Sequence, residues 1–314
     1  MSPAVVSYVL NEGPRPVAPA TAERVRDAVR QLDYRPNRAA RALRLGSTGM
    51  VGLILPSVSN PFFAAFSEAF QADAHRLGLA VIAASSAGER DRERELVESL
   101  PRHGIDGLVV ATVLHPTSGV VLPDPGVPAV VVNSPFPVPG FRALGPDATQ
   151  GARLGVEHLL HVHGHRSVAL VTGEAGVLRP GTRELGWHQA HLAVGAEPGP
   201  LVRVPFDRPG GRDAARRLLD RPDRPTAVFA SSDAQAFGLL HGLTSAGVRV
   251  PEDVAVVGFD GTEDGAYAAP PLTSARQPVA AMAAAALEAL RQPPGSAHQL
   301  FALDLVVRES CGCR

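Results

Sequence analysis

From residue 50 onward, short apolar runs alternate with longer stretches in which apolar residues recur every three or four positions. The runs predict strands at 51–55, 79–84, 107–111, 129–132, 168–171, 201–204, 227–230, 254–259 and 272–276. The periodic stretches predict helices at 61–77, 90–102, 149–161, 179–194, 212–219, 234–246 and 279–291. Strand–helix alternation of this kind forms parallel sheets covered by helices on both faces. There are too many strands for one tidy sheet, so the expected class is α/β with two doubly wound parallel-sheet subdomains.

Residues 1–48 carry a different pattern. Ser2 and Pro3 form a helix start, a hydroxyl cap followed by proline at the first helical position. Val6, Val9 and Leu10 share one face of that helix, with Ala4, Ser7 and Tyr8 toward another, and Asn11 with Gly13-Pro14 ends it. A second helix is predicted over 21–32 from Val25, Ala28, Val29 and Leu32, and Asp33-Tyr34-Arg35-Pro36 stops it. Asn37 then caps a short helix over 38–44, which at about seven residues cannot hold alone in water.

Charge separates the same two regions. Residues 1–48 hold eight arginines against four carboxylates, +4, and the remainder holds 22 against 27, −5. A basic head on an acidic body is a footprint for phosphate contact at the head alone. The chain has no lysine, which removes P-loop and Schiff-base chemistry, while arginine still suits phosphate and carboxylate binding. There is no apolar run of about 20 residues for a spanning helix. The N-terminus lacks a basic-then-apolar export pattern, so the expected location is cytoplasmic.

The stretch Ser-Pro-Ala-Val-Val-Ser-Tyr-Val-Leu-Asn at 2–11, with Glu-Arg-Val-Arg-Asp-Ala-Val-Arg-Gln-Leu-Asp-Tyr-Arg-Pro-Asn-Arg-Ala-Ala-Arg-Ala-Leu at 23–43, resembles the LacI/GalR family of bacterial transcriptional repressors. The resemblance implies a helix-turn-helix whose recognition helix enters the major groove. Its contact positions here would be Pro3, Ala4 and Tyr8, with Ser2 and Ser7 near phosphate. The family's first helix should precede Ser2, so the expectation is a true start upstream of Met1. Ala18 stands where the family usually has a hydroxyl cap.

In the resembling family paired hinge helices push a leucine into the minor groove and kink the operator, an apolar wedge that trades unstacking for a bent duplex. The matching residue is Leu43, with Asn37 as cap and Ala39, Ala40 and Ala42 allowing close approach of two copies. The body resembles the type 1 periplasmic-binding-protein fold, two Rossmann-like subdomains joined by three crossings. The implied organisation is a head at 1–36, a hinge helix and linker at 37–48, and an effector-binding and dimerisation domain at 49–314. Within the last, one subdomain takes 49–161 and 277–304, the other 162–276 and 305–314.

Sheets of this kind bind ligands at the carboxyl ends of their strands. Reading those ends gives Asn60, Phe62, Phe63, Asp147, Arg183, Phe206, Ser232, Asp233, Asp260 and Gln277, and each resembles a position lining the family's effector cleft. Carboxylates, an arginine and aromatic faces suit a polyhydroxylated ligand such as a sugar; Arg183 would equally clamp an acidic one. The partners implied are a pseudo-palindromic operator DNA, a small carbohydrate effector and a second copy of the chain, with no membrane.

No nucleophile–base motif is evident, so neither catalytic residues nor a cofactor are expected. His158 and His161 stand one helical turn apart, a spacing that suits zinc. His163 and His165 crowd the same helix end, but the resembling family often has histidines at the first and last of these four positions without metal. Cys311-Gly312-Cys313 offers only two sulfurs on a terminal tail, and the expectation is no metal. The rival readings are a sugar sensor that has lost DNA binding, a solute-binding protein, and an enzyme using the cleft carboxylates.

Overall fold

The computed structural model describes residues 2–10, 15–33, 46–112, 122–173, 182–293 and 295–313. The chain divides into two compact units, Met1–Thr48 and Gly49–Arg314.

The first unit holds α1 (Pro3–Leu10) and α2 (Pro19–Gln31). The Val5 backbone N–H donates to Ser2 Oγ at 3.4 Å, the cap its sequence predicts. Ala18 leaves the start of α2 without a side-chain cap, and Pro19 follows it. The apolar stripe expected on α2 is buried only in part. Ala22 and Val25 are buried, Val29 is half-buried, and Ala28 and Leu32 are exposed. The eight residues of α1 span about 12 Å and cannot cover the thirteen of α2, about 20 Å long. Asn37, Ala40 and Leu43 lie outside the described residues.

Among the described residues the second unit contains two six-stranded sheets. The first is built from β1 (Met50–Leu55), β2 (Ala80–Ser85), β3 (Gly107–Ala111), β4 (Ala129–Val132), β5 (Arg142–Pro146) and β11 (His298–Phe301), in the order β11-β5-β4-β3-β1-β2, all parallel. The second uses β6 (Ala169–Thr172), β7 (Leu201–Arg203), β8 (Ala227–Ala230), β9 (Ala255–Asp260), β10 (Thr273–Arg276) and β12 (Asp304–Val306), in the order β12-β10-β9-β8-β6-β7. Here only β12 runs antiparallel to its neighbour.

Three of the twelve strands among the described residues escape the apolar-run reading. β5 is interrupted by Arg142, Gly145 and Pro146, and β11 and β12 are sheet edges carrying His298, Gln299 and Asp304. Each sheet buries its central strands between helices, as continuous apolar runs require. Around the first pack α3 (Pro61–Arg76), α4 (Arg90–Ser99) and α9 (Val279–Arg291), burying Phe66, Phe70, Met282 and Ala286 against Leu53 and Val109. Around the second pack α5 (Ala148–Glu157), α6 (Thr182–Ala193), α7 (Arg208–Leu219) and α8 (Asp233–Ser245).

The chain passes between lobes three times, after β5, after β10 and between β11 and β12. The first passage differs from the expected boundary at 161. Ala148, Ala152, Val156 and Leu159 pack with Val168, Trp187 and Phe259 of the second lobe, so the crossing falls at Asp147. Helical periodicity marks where α5 is, but not which sheet its apolar face will cover.

Candidate functional site

The loops after the strands are held by helix caps. Asn60 Oδ1 accepts from the Phe62 N–H at 3.0 Å, Asp147 Oδ1 from Gln150 at 2.9 Å, and Ser232 Oγ from Gln235 at 3.2 Å. An N-cap satisfies one of a helix's orphan donors and is typically worth about 1 kcal/mol. Asn60, Asp147 and Ser232 therefore each fix the start of the helix that follows a strand end. Phe62 and Phe63 lie with Phe66 in the apolar core of the first lobe, their rings meeting edge-on with centroids 5.0 Å apart.

The second lobe gathers Arg183, Phe206, Asp260 and Gln277. The Arg183 guanidinium carbon is 4.1 Å from the Phe259 ring centroid and 5.8 Å from that of Phe206. A cation held over aromatic faces is attracted by their quadrupoles, and more strongly when desolvated. Arg183 Nε is buried without a hydrogen-bond partner. Burial lowers the guanidinium's pKa, and the charge of Asp260 opposes that shift.

Gln277 Nε2 donates to Asp260 Oδ1 at 2.8 Å, while Gln277 Oε1 is buried and unpartnered. Asp260 Oδ2 accepts from the Asp233 backbone N–H at 3.3 Å. Burial pushes the Asp260 carboxyl well above the usual range; the nearby Asp233 adds to the rise, and Arg183 and Gln277 oppose it. Asp260 also has φ of 126°, a backbone region costly for any side chain and concentrated at functional sites. Phe206 closes onto Gly173 so tightly that a Cβ there would lie 2.0 Å from the ring; only glycine allows that approach.

Asp233 is wholly buried. Its Oδ1 accepts from the Ser274 hydroxyl at 2.6 Å, and its Oδ2 accepts from Thr262 N–H at 2.7 Å and Thr262 Oγ1–H at 2.8 Å. Those bonds join α8 to β10 and to the turn after β9, so its expected ligand role is replaced by a structural one.

Three residues that the strand-end reading passed over support the site. Phe259, within the apolar run of β9, supplies the nearer aromatic face. Gln235 Nε2 donates to the Val204 and Pro205 carbonyls at 3.2 and 3.1 Å, fixing the loop that carries Phe206. Arg208 Nη1 donates to the Ser59 carbonyl at 3.3 Å, linking the two lobes. None had a local signal, because each partner is distant in sequence.

The positions expected to touch DNA lie in the first unit. Ser2 and Ala4 are exposed and Tyr8 is half-buried on α1; Pro3 and Ser7 belong to the same helix.

A model of the periplasmic binding protein-like domain matches residues 156–311. The ribose operon repressor of Escherichia coli (strain K12) is 32% identical over 284 residues, covering 88% of this chain and 85% of that protein. The crystal structure of the Lac repressor dimer bound to operator and the anti-inducer ONPF superimposes with a TM-score of 0.85 at 26% identity, covering 98% of this chain and 94% of that one. The complex of the transcriptional regulator CelR with cellobiose gives a TM-score of 0.73 at 29% identity, covering 97% and 94%.

Proposed function

The chain belongs to the LacI/GalR family of bacterial transcriptional regulators, and on that premise we propose that Arg183, Asp260 and Gln277 hold the effector that sets its grip on operator DNA. The protein is a ligand-controlled transcriptional repressor that acts as a dimer on operator DNA, with a small carbohydrate as effector. Its relatives are repressors rather than enzymes, and among the described residues no helix is long and apolar enough to cross a membrane.

One observation carries the residue assignment. Among the described residues three buried side-chain atoms lack a partner, and two of them, Arg183 Nε and Gln277 Oε1, belong to groups flanking Asp260. An unsatisfied buried polar atom costs about 1–3 kcal/mol, so the ligand-free site is short of one acceptor and one donor. A sugar hydroxyl both donates and accepts, and supplies both. A carboxyl kept protonated by burial can itself donate to a ring or hydroxyl oxygen. Phe206, half-buried, offers an apolar face to a sugar ring, while Phe259 is buried in the core beneath Arg183.

The mechanism follows from linkage. An effector that binds the two lobes in one relative arrangement shifts the dimer toward that arrangement, by no more than its differential affinity. An inducer favours the arrangement that does not hold operator; a corepressor favours the other. In the hinge, Leu43 with Asn37 and Ala40 would fold against its counterpart only on DNA, as a segment of about seven residues must. Ser2, Pro3, Ala4, Ser7 and Tyr8 would meet bases and phosphates.

A thermal-shift screen with sugars, nucleosides and small acids, followed by operator binding of the full-length protein with and without each hit, tests this reading. The expected result is a carbohydrate that raises the melting point in the wild type but not in Arg183→Ala, and that changes operator affinity. A hit whose stabilisation survives Arg183→Ala would place the effector elsewhere. No preference for the protein's own promoter over random DNA at physiological salt would overturn the repressor mechanism.

A further inference from the structure

At the end of the second lobe away from the cleft, the fold merges two groups of residues that the sequence keeps apart. His158, His163, Cys311 and Cys313 each bring one ligand atom to a common point, all within 4.8 Å of one another. His158 Nε2 lies 3.2 Å from His163 Nε2, 3.3 Å from Cys311 Sγ and 3.6 Å from Cys313 Sγ, and Cys313 Sγ is 3.4 Å from His163 Nε2. Zn–N bonds of about 2.05 Å and Zn–S bonds of about 2.3 Å around a tetrahedral ion put neighbouring ligands about 3.3 Å apart for N···N and about 3.6 Å for N···S. Those four of the six separations fall within about 0.3 Å of the ideal edges, and all six are within 4.8 Å. We propose that these four residues form a structural zinc site, Cys2His2, which ties the chain's last residues to α5.

The backbone is shaped for this purpose. α5 does not end as an α-helix; it passes into a π-turn over His158–Val162. In an α-helix, at about 100° per residue, residues five apart point roughly 140° away from each other. The wider π-turn brings His163 round to His158, and their rings sit edge-on with centroids 4.9 Å apart. His161, one α-helical turn from His158 and the partner its spacing suggests, is exposed and outside the cluster.

On the other side Gly312 has φ of 108°, and a Cβ there would stand 3.1 Å from His163 Nδ1. Glycine therefore lets the Cys-Gly-Cys turn close over the ring. Both cysteines are free thiols. Thr273 Oγ1 lies 3.1 Å from Cys311 Sγ and accepts the Arg308 N–H at 2.8 Å, orienting that sulfur from β10 as ligating groups are commonly oriented by a further shell.

Two imidazole nitrogens and two sulfurs facing one point make a soft N2S2 donor set. A soft divalent cation suits that set, which selects zinc over the oxygen-loving magnesium and calcium. With all four positions supplied by protein the site is closed, hence structural rather than catalytic. It lies one helix length, about 22 Å over residues 148–162, from Asp147 at the cleft, so its occupancy should govern the stability of the lobe and not effector contact.

The test uses the full-length protein, free of any histidine tag and purified without chelator from zinc-supplemented cells. Elemental analysis should give about one zinc per chain, and the cobalt-exchanged protein should show tetrahedral ligand-field bands with thiolate charge transfer. Cys313→Ser and His163→Ala should each lose at least about tenfold in zinc affinity, while His161→Ala keeps it. Removing zinc should lower the melting point of the wild type by more than that of Cys313→Ser. Substoichiometric zinc with no cobalt spectrum and no zinc-dependent melting would overturn the proposal. So would an intact Cys311–Cys313 disulfide in protein isolated under reducing conditions.

Discussion

The guanidinium of Arg183 lies 4.1 Å above the Phe259 ring while its Nε is enclosed and unbonded. A flat, delocalised cation can stack and still present its edge to a ligand, which a lysine ammonium cannot do. Arg183→Lys should therefore weaken effector binding by about tenfold or more, the loss of roughly 1.4 kcal/mol. Operator affinity of the ligand-free protein should be unchanged. Calorimetric titration of each variant with the carbohydrate found by screening gives the first number, and operator titration the second. Equal affinities in wild type and variant would remove Arg183 from the site.

Asp260 joins the two sides of the same site. Burial favours its protonated form, so Asp260→Asn keeps a neutral, hydrogen-bonding group beside Gln277, whereas Asp260→Ala leaves Gln277 Nε2 without its acceptor. The expected order of effector response is wild type, then Asn, then Ala, with Ala unresponsive but still bound to operator. Dose–response curves in an operator-binding assay measure this. A variant that no longer binds operator at all would mark Asp260 as structural.

Much of this site is written in short-range signals. Asn60, Asp147 and Ser232 announce themselves as caps because a cap needs only residues two or three positions on. Asp233 carries the same local signature but is satisfied by Ser274 and Thr262, 41 and 29 residues away, and no local pattern reveals that. Phe259 is hidden inside a strand whose apolar run looks like core. The assignment of α5 to the second lobe depends on which sheet its apolar face meets, and periodicity is silent on that. The approach of Cys313 to His163, 150 residues apart, rests on a π-turn that helical spacing cannot foresee.

Glu93 offers a separate check on stability. It is almost wholly buried on α4, its Oε2 has no partner, and burial pushes its carboxyl up from 4.5 to about 7, against an opposing hydrogen bond from Thr112. The folded protein thus binds this proton more tightly than the unfolded chain. The contribution is fully present below 4.5 and is lost as pH rises through about 7. That shift corresponds to about 3 kcal/mol at about 1.36 kcal/mol per pH unit. Glu93→Gln should leave the melting point near pH 5 little changed and raise it by several degrees at pH 8. Calorimetric melting at both values decides; a variant that gains equally at the two would show that Glu93 does not titrate in this range.

The last expectation concerns the hinge. If Leu43 wedges into the operator's minor groove, its side chain contributes where the duplex is kinked and nowhere else, because unstacking is repaid only when the half-sites on both sides are engaged. Random DNA is held mainly by arginine–phosphate attraction, which a leucine does not supply. Leu43→Ala should then weaken operator binding by about 2 kcal/mol, near thirtyfold, while non-specific binding and its salt slope stay as they were. Fluorescence anisotropy on operator and scrambled duplexes over a salt series separates the two. Parallel losses on both duplexes would show instead that Leu43 stabilises the protein's own fold.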